Sequence, residues 1–290
     1  MLDEVRGAGS YKKGTALSGN TASDLVVIMK NVPTEANVSN TMQKLVEVLN
    51  TDEKEETEKR VEERVSLSRT GTNVFELHTK QDCSVRVHFT STGDKVYGPV
   101  PDGKDMKPYQ DALRMIRHCR WWEEHTAHLK NARNLARLLK DLCRHVPGLR
   151  LLDPWHIELL SNCAVIPLVG DEPLSLVDSF KRVWQLLSAG LFLPGSIGIP
   201  DPCEETDAGV HESLPIWAMD ELTRNSQMIL QMLHFGAYQE ILGVDGAKTY
   251  RFLLSLCPEY CHHRRPSASV RQAGPRSTNG RGTHHQHTDD

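Results

Sequence analysis

Apolar positions along this chain change their period part-way, from alternation to helical spacing. Leu25-Val26-Val27-Ile28-Met29 is a short valine-rich apolar run, the pattern of a buried strand. Val74 to His78 and Ser84 to Phe89 alternate apolar and polar residues around Lys80-Gln81-Asp82, which predicts a strand pair on one sheet. Between them, Val38, Met42, Leu45, Val46 and Leu49 recur at helical spacing, so a helix is expected over 34–50. Residues 51–64 carry dense mixed charge and read as a solvated helix or connector.

Residues 91–108, with Pro99, Pro101, Gly103 and Pro108, read as a linker. Beyond them only helical periodicity remains. Ala112, Met115, Ile116, Cys119 and Trp122 form one stripe; Ala132, Leu135, Ala136, Leu139 and Leu142 form the next, ended by Pro147-Gly148. Asp153-Pro154 predicts an N-cap with proline in the first turn, opening a helix through Trp155, Leu159, Leu160 and Cys163. Further helices are expected over 174–189 and 216–236. From about Pro258 the chain is Arg, His, Ser, Gly and Gln, a composition that predicts disorder. The fold class is therefore α+β: a mixed-sheet subdomain over 1–105, a helical subdomain over 106–256 and a disordered tail over 257–290.

Composition narrows the classes of function. With 290 residues, 39% hydrophobic and 25% charged, the chain has the make-up of a globular protein. Its formal charge of −4 excludes a uniformly basic coat for nucleic acid but allows a local patch. No apolar run is long enough to span a membrane, and the start lacks the basic and apolar regions of a signal peptide. Seven cysteines, an odd number in apolar contexts, suit reduced thiols in cytosol or nucleus. Cys257, Cys261, His262 and His263 do not have the spacing of a closed zinc site.

The candidate chemistry lies near the start. Gly9-Ser10-Tyr11-Lys12-Lys13-Gly14 leads into Ala22-Ser23-Asp24-Leu25. A Gly-Ser turn before a strand bearing alternate carboxylates is how many nucleotidyltransferases hold a triphosphate and magnesium. Residues two apart on a strand share a face, so an Asp-x-Asp pair aims both acids at the same ions. Here Ala22 stands two before Asp24, and one carboxylate remains. Two-metal transfer needs bridging acids between ions about 3.5–4 Å apart. On the neighbouring strand Arg86 and His88 occupy the face opposite Val85, Val87 and Phe89. A cation there repels a metal and can attract a phosphate instead. No catalytic residue and no metal site are therefore expected. An active enzyme would have to recruit acids from elsewhere, such as Glu76 or Asp82.

The chain resembles the DZF family, the domain associated with zinc fingers. The matching stretches are Glu4-Val5-Arg6 with Gly9 to Thr15, Ala22 to Ile28, Ile116-Arg117-His118 with Arg120-Trp121, Leu138 to Leu142, and Ala189 to Ile199 continuing through Asp201-Pro202-Cys203-Glu204. The likeness covers roughly residues 4 to 255. It implies a catalytically silent nucleotidyltransferase fold whose helical part forms heterodimers with DZF proteins carrying double-stranded-RNA-binding domains. It also implies a nuclear protein, with some in the cytoplasm, acting in transcription and RNA metabolism. Contact with double-stranded RNA and DNA would come mainly through the complex. No cofactor is required; a bound nucleotide, ATP or another NTP, is an optional ligand. Relative to the family the start is shortened, lacking a preceding helix, and the tail is not acidic.

Three residue sets follow as candidates. Gly9, Ser10, Lys12 and Asp24 could hold a nucleotide, or serve only as a tight turn and a solvated strand acid. Arg114, Arg117 and Arg120 on one helix, with Lys130, Arg133, Arg137, Lys140 and Arg144 on the next, could form a basic strip for phosphates or be ordinary solvated faces. Leu191, Phe192, Leu193 and Pro194, with Met228, Met232 and Phe235, could form a partner surface or be core. Trp121 and Trp122 read as packing at the domain junction. An active template-independent nucleotidyltransferase and a free-standing nucleic-acid-binding protein are the competing functions.

Overall fold

The computed structural model describes residues 2–51, 65–79, 83–98, 105–167, 170, 172–205 and 209–244. The expected tail, the zinc question at Cys257–His263, Asp82, and most of the charged stretch lie outside them, as do Pro99, Pro101 and Gly103 of the linker.

The front half is a five-stranded sheet with a helix on each face. In chain order its elements are β1 (Leu2–Ala8), α1 (Gly9–Lys12), β2 (Ala22–Met29), α2 (Glu35–Thr51), β3 (Ser66–Arg69), β4 (Val74–His78) and β5 (Ser84–Ser91). The strand order is β1-β2-β5-β4-β3. β2 and β5 run parallel at the centre, joined by the crossover through α2, and the remaining pairs are antiparallel. The expected strand and helix positions hold. The first predicted strand is longer than its apolar run, starting at Ala22, and another strand precedes it.

The apolar pattern marks no strand before Leu25, and the structure corrects this with one at Leu2–Ala8. Leu2–Ala8 pairs antiparallel with β2 as an edge strand, with Leu2 and Val5 exposed and only Ala8 fully buried. An edge strand solvated along most of its length gains little from apolar alternation, so it leaves a weak pattern.

Alternation within the sheet assigns two faces. Phe75, Leu77, Val87 and Phe89 turn to one side and enclose Val38 and Met42 of α2. Ala8, Val26 and Ile28 turn to the other and meet Ala112 and Cys119 of α4 (Lys107–Thr126). Asp24, Arg86 and His88 share this second face by register. A short α3 (Gly93–Val96) lies in the expected linker. The family of helices expected after residue 106 therefore begins with one that covers the sheet.

The helical half comprises α5 (Lys130–His145), α6 (Pro154–Val165), α7 (Leu176–Ser188), α8 (Ile216–His234) and α9 (Tyr238–Leu242) around one large core. Asp153 caps α6 as its position predicts, accepting from the backbone N–H of Trp155 and His156. Phe192 and Met232 belong to this core, at 1% and 6% exposure. Neither offers a surface to a partner, because Phe192 stacks on His211 inside the molecule. Leu191 and Leu193 pack partly buried against the same core, Met228 is half-buried, and Pro194 is exposed. Phe235 is the member of that set that projects fully, at 82% exposure.

Candidate nucleotide-binding cleft

The Gly-Ser turn forms because β1 ends where Gly9 takes φ +70°, a backbone region that glycine enters cheaply. A Cβ at Gly9 would lie 2.1 Å from Asp24 Oδ2, so the turn and the strand acid need that missing side chain to meet. α1 then carries Ser10 and Lys12 past the end of the sheet. Lys12 is half-exposed and pairs with Glu123 of α4 at 2.9 Å.

Asp24 is 7% exposed and engaged by two partners, Arg86 and His88. Arg86 grips it as a fork, Nε to Oδ1 at 2.9 Å and Nη2 to Oδ2 at 3.2 Å. His88 Nε2 stands 3.2 Å from Oδ1. Both carboxylate oxygens are thus taken, and Ala22 supplies none. Across the sheet Asp24, Arg86 and Glu76 lie in one register row. Two strand spacings separate the acids by about 10 Å at the backbone, with Arg86 between them. That arrangement does not fit two bridged divalent ions. It does fit an anion, since Arg86 is still nearly half-exposed.

Behind the turn sits a charge network that no spacing argument identified. Glu158 of α6 is wholly buried and joined by Lys13 at 2.5 Å and by Lys140 at 2.7 Å. Thr15 Oγ1 donates to the same carboxylate at 2.9 Å. Lys140 Nζ also reaches Thr15 at 2.7 Å and Ser10 at 3.1 Å. Trp122 Nε1 donates to the Lys13 carbonyl at 3.0 Å, which places this tryptophan at the junction of the two halves. Burial lowers the Lys140 pKa, against the opposing pull of Glu158, and raises the Cys119 thiol beside Gly9 to about 11. The legible signal was Glu158 itself, a lone acid in a helix that is otherwise buried almost all round.

The basic strip is divided by these contacts. Lys140 leaves it for the junction. Arg114 and Arg117 converge on Glu204 at 2.7 and 3.0 Å, and Arg117 also donates to Tyr97 Oη at 2.9 Å. Arg120 pairs with Glu124 at 2.9 Å. Lys130, Arg137 and Arg144 are exposed along α5, while Arg133 is partly buried with its Nε enclosed. The described residues therefore hold a short basic edge on α5 rather than a strip across two helices.

The sequence matches the DZF N-terminal domain over residues 1–128 and the DZF C-terminal domain over residues 131–252. The chain belongs to the DZF family. The two DZF halves meet at the end of α4, which packs on the sheet and also touches α5 and α6. Among solved structures the chain is similar to the CdnC:HORMA-deltaN complex of E. coli MS115-1, with 14% identity and a TM-score of 0.53 over 88% of this chain and 80% of that one. It is also similar to terminal uridylyl transferase 4 of Trypanosoma brucei with bound UPU, at 11% identity, a TM-score of 0.47, and 79% and 86% coverage. The five-stranded mixed sheet followed by helices is the fold this chain shares with the CdnC structure. No helix among the described residues is long and apolar enough to cross a membrane.

Proposed function

We propose that this DZF chain is a catalytically silent nucleotidyltransferase-fold subunit. The observation that carries the reading is Asp24 held by Arg86 and His88, with Ala22 where a second acid would be needed. Catalysis of phosphoryl transfer is mostly positioning and neutralisation of charge by metal ions. A carboxylate already paired with a guanidinium, with an imidazole on the same oxygen, has little left to offer a metal. A nucleotide could still sit here, its phosphates meeting Arg86, Ser10 and Lys12, and add stability by binding only the folded form.

The chain's motifs, above all Leu191-Phe192-Leu193-Pro194-Gly195 and Asp201-Pro202-Cys203-Glu204, place it in our reading beside interleukin enhancer-binding factor 2. It would act in the nucleus, with some in the cytoplasm, in transcription and RNA metabolism, as a heterodimer with a DZF protein that brings double-stranded-RNA-binding domains. The helical half offers the surface for that partner: Ile216, Trp217 and Phe235 are exposed at 71%, 58% and 82%. Phe235 also edges a groove of about 760 Å³ between α7 and α8. Double-stranded RNA and DNA would be met mainly through the complex, with the α5 edge as a minor contribution.

Incubating the purified chain with labelled ATP, magnesium and RNA tests the central point. The expected result is no added nucleotide. Transfer that disappears in Asp24→Asn would establish the competing active enzyme.

A further inference from the structure

Beside α4, three side chains of different donor type converge. His118 of α4, Asp201 and Cys203 bring one ligand atom each to within 4.8 Å of one another. His118 is 9% exposed, and its Nε2 has no hydrogen-bond partner among the described residues. The nearest acid oxygen, Asp201 Oδ2, is 3.9 Å away, too far for a hydrogen bond. A buried imidazole nitrogen left without a partner costs free energy, and the His118 side chain lines a cavity of about 320 Å³ together with Asp201 and Glu204.

The surroundings hold these donors in place. Trp155 stacks on the His118 ring, with centroids 3.8 Å apart and planes within 8°. Its Nε1 donates to Asp201 Oδ2 at 3.1 Å. The Cys203 backbone N–H donates to Asp201 Oδ1 at 2.9 Å, and its carbonyl accepts from Arg117 Nε at 3.1 Å. Such supporting bonds are what orient ligands around a metal. Arg114 and Arg117 are offset by Glu204 and Asp111 together, while Glu158 is shared by Lys13 and Lys140.

We propose that His118 Nε2, an Asp201 carboxylate oxygen and Cys203 Sγ bind one Zn²⁺ ion, with a fourth position open to the cavity. An imidazole, a carboxylate and a thiolate together form a borderline-soft donor set suited to zinc and poorly suited to magnesium. In a tetrahedral zinc site neighbouring donors stand about 3.5 Å apart, so a closure of about 1 Å completes it. Cys203 enters as the thiolate and its proton leaves to solvent. The ion would fasten the segment between α7 and α8 to α4. This site is separate from the cleft at Asp24 and does not depend on the reading of that cleft.

Cobalt(II) tests it in the full chain, because a thiolate ligand gives a near-ultraviolet charge-transfer band. Cys257→Ser with Cys261→Ser serves as the background, so that the thiols near the tail cannot supply the band. The expected result is one equivalent of Co²⁺ with that band, bleached by one equivalent of Zn²⁺ and abolished by adding Cys203→Ser. No band in the background chain, or a band that survives Cys203→Ser, would overturn the proposal. Should the Cys203→Ser protein fail to fold, His118→Gln in the same background decides instead: a tetrahedral cobalt spectrum left unchanged by it rules the site out.

Discussion

Two carboxylates, one in each half of the molecule, show how this fold spends its charge. Asp24 lies in the cleft, near-buried but held by an arginine that is almost half exposed. Glu158 lies at the junction, wholly enclosed with two lysines and a threonine. The cleft acid has partners that suit an anion-binding surface, whereas the junction acid has partners that lock α1, α5 and α6 together. Removing one member of a fully buried set leaves uncompensated charge in a low-dielectric interior, and that is far more costly than losing a solvated pair.

The largest effect should therefore come from Glu158→Gln, which strands Lys13 and Lys140. The expected loss is about 3–5 kcal/mol by denaturant unfolding. Replacing the whole set, as Glu158→Met with Lys13→Met and Lys140→Met, should cost much less than that, since apolar residues of similar volume can replace a buried ion set. A loss under about 1 kcal/mol for Glu158→Gln alone would erase the contrast between the two regions. Asp24→Asn should cost far less, about 1 kcal/mol, because Arg86 remains solvated when its partner is gone. Equal losses at both positions would mean that the cleft acid is as structural as the junction acid.

What the sequence disclosed follows the same division. Strands β4 and β5 and helices α2, α4, α5, α7 and α8 were readable because each buries one regular face, β2 because of its valine-rich run, and α6 because Asp153-Pro154 marks its start. So was the pair facing Asp24, since strand alternation places Arg86 and His88 on one face without knowledge of the pairing. β1 was not readable, because residues 2–7 of an edge strand bury almost nothing. The Glu158 network joins residues 143 and 145 positions apart, a proximity that periodicity cannot express. Phe192, near Gly and Pro, and Met232, on a methionine-bearing helix, each have the same local pattern whether they face solvent or core. Only the stacking on His211 and the packing of α8 place them. Likewise Arg114 and Arg117 looked like a free basic face until Glu204, 90 and 87 residues later, closed on them.

The central claim is that the cleft no longer seats a pair of divalent ions, and counting bound manganese tests it most directly. Mn²⁺ held per chain can be measured by electron paramagnetic resonance with a non-hydrolysable ATP analogue present, in the wild type and in Asp24→Asn. The account predicts the same stoichiometry in both, with no more than the single ion that the nucleotide itself carries. A second ion present in the wild type and lost in Asp24→Asn would contradict it.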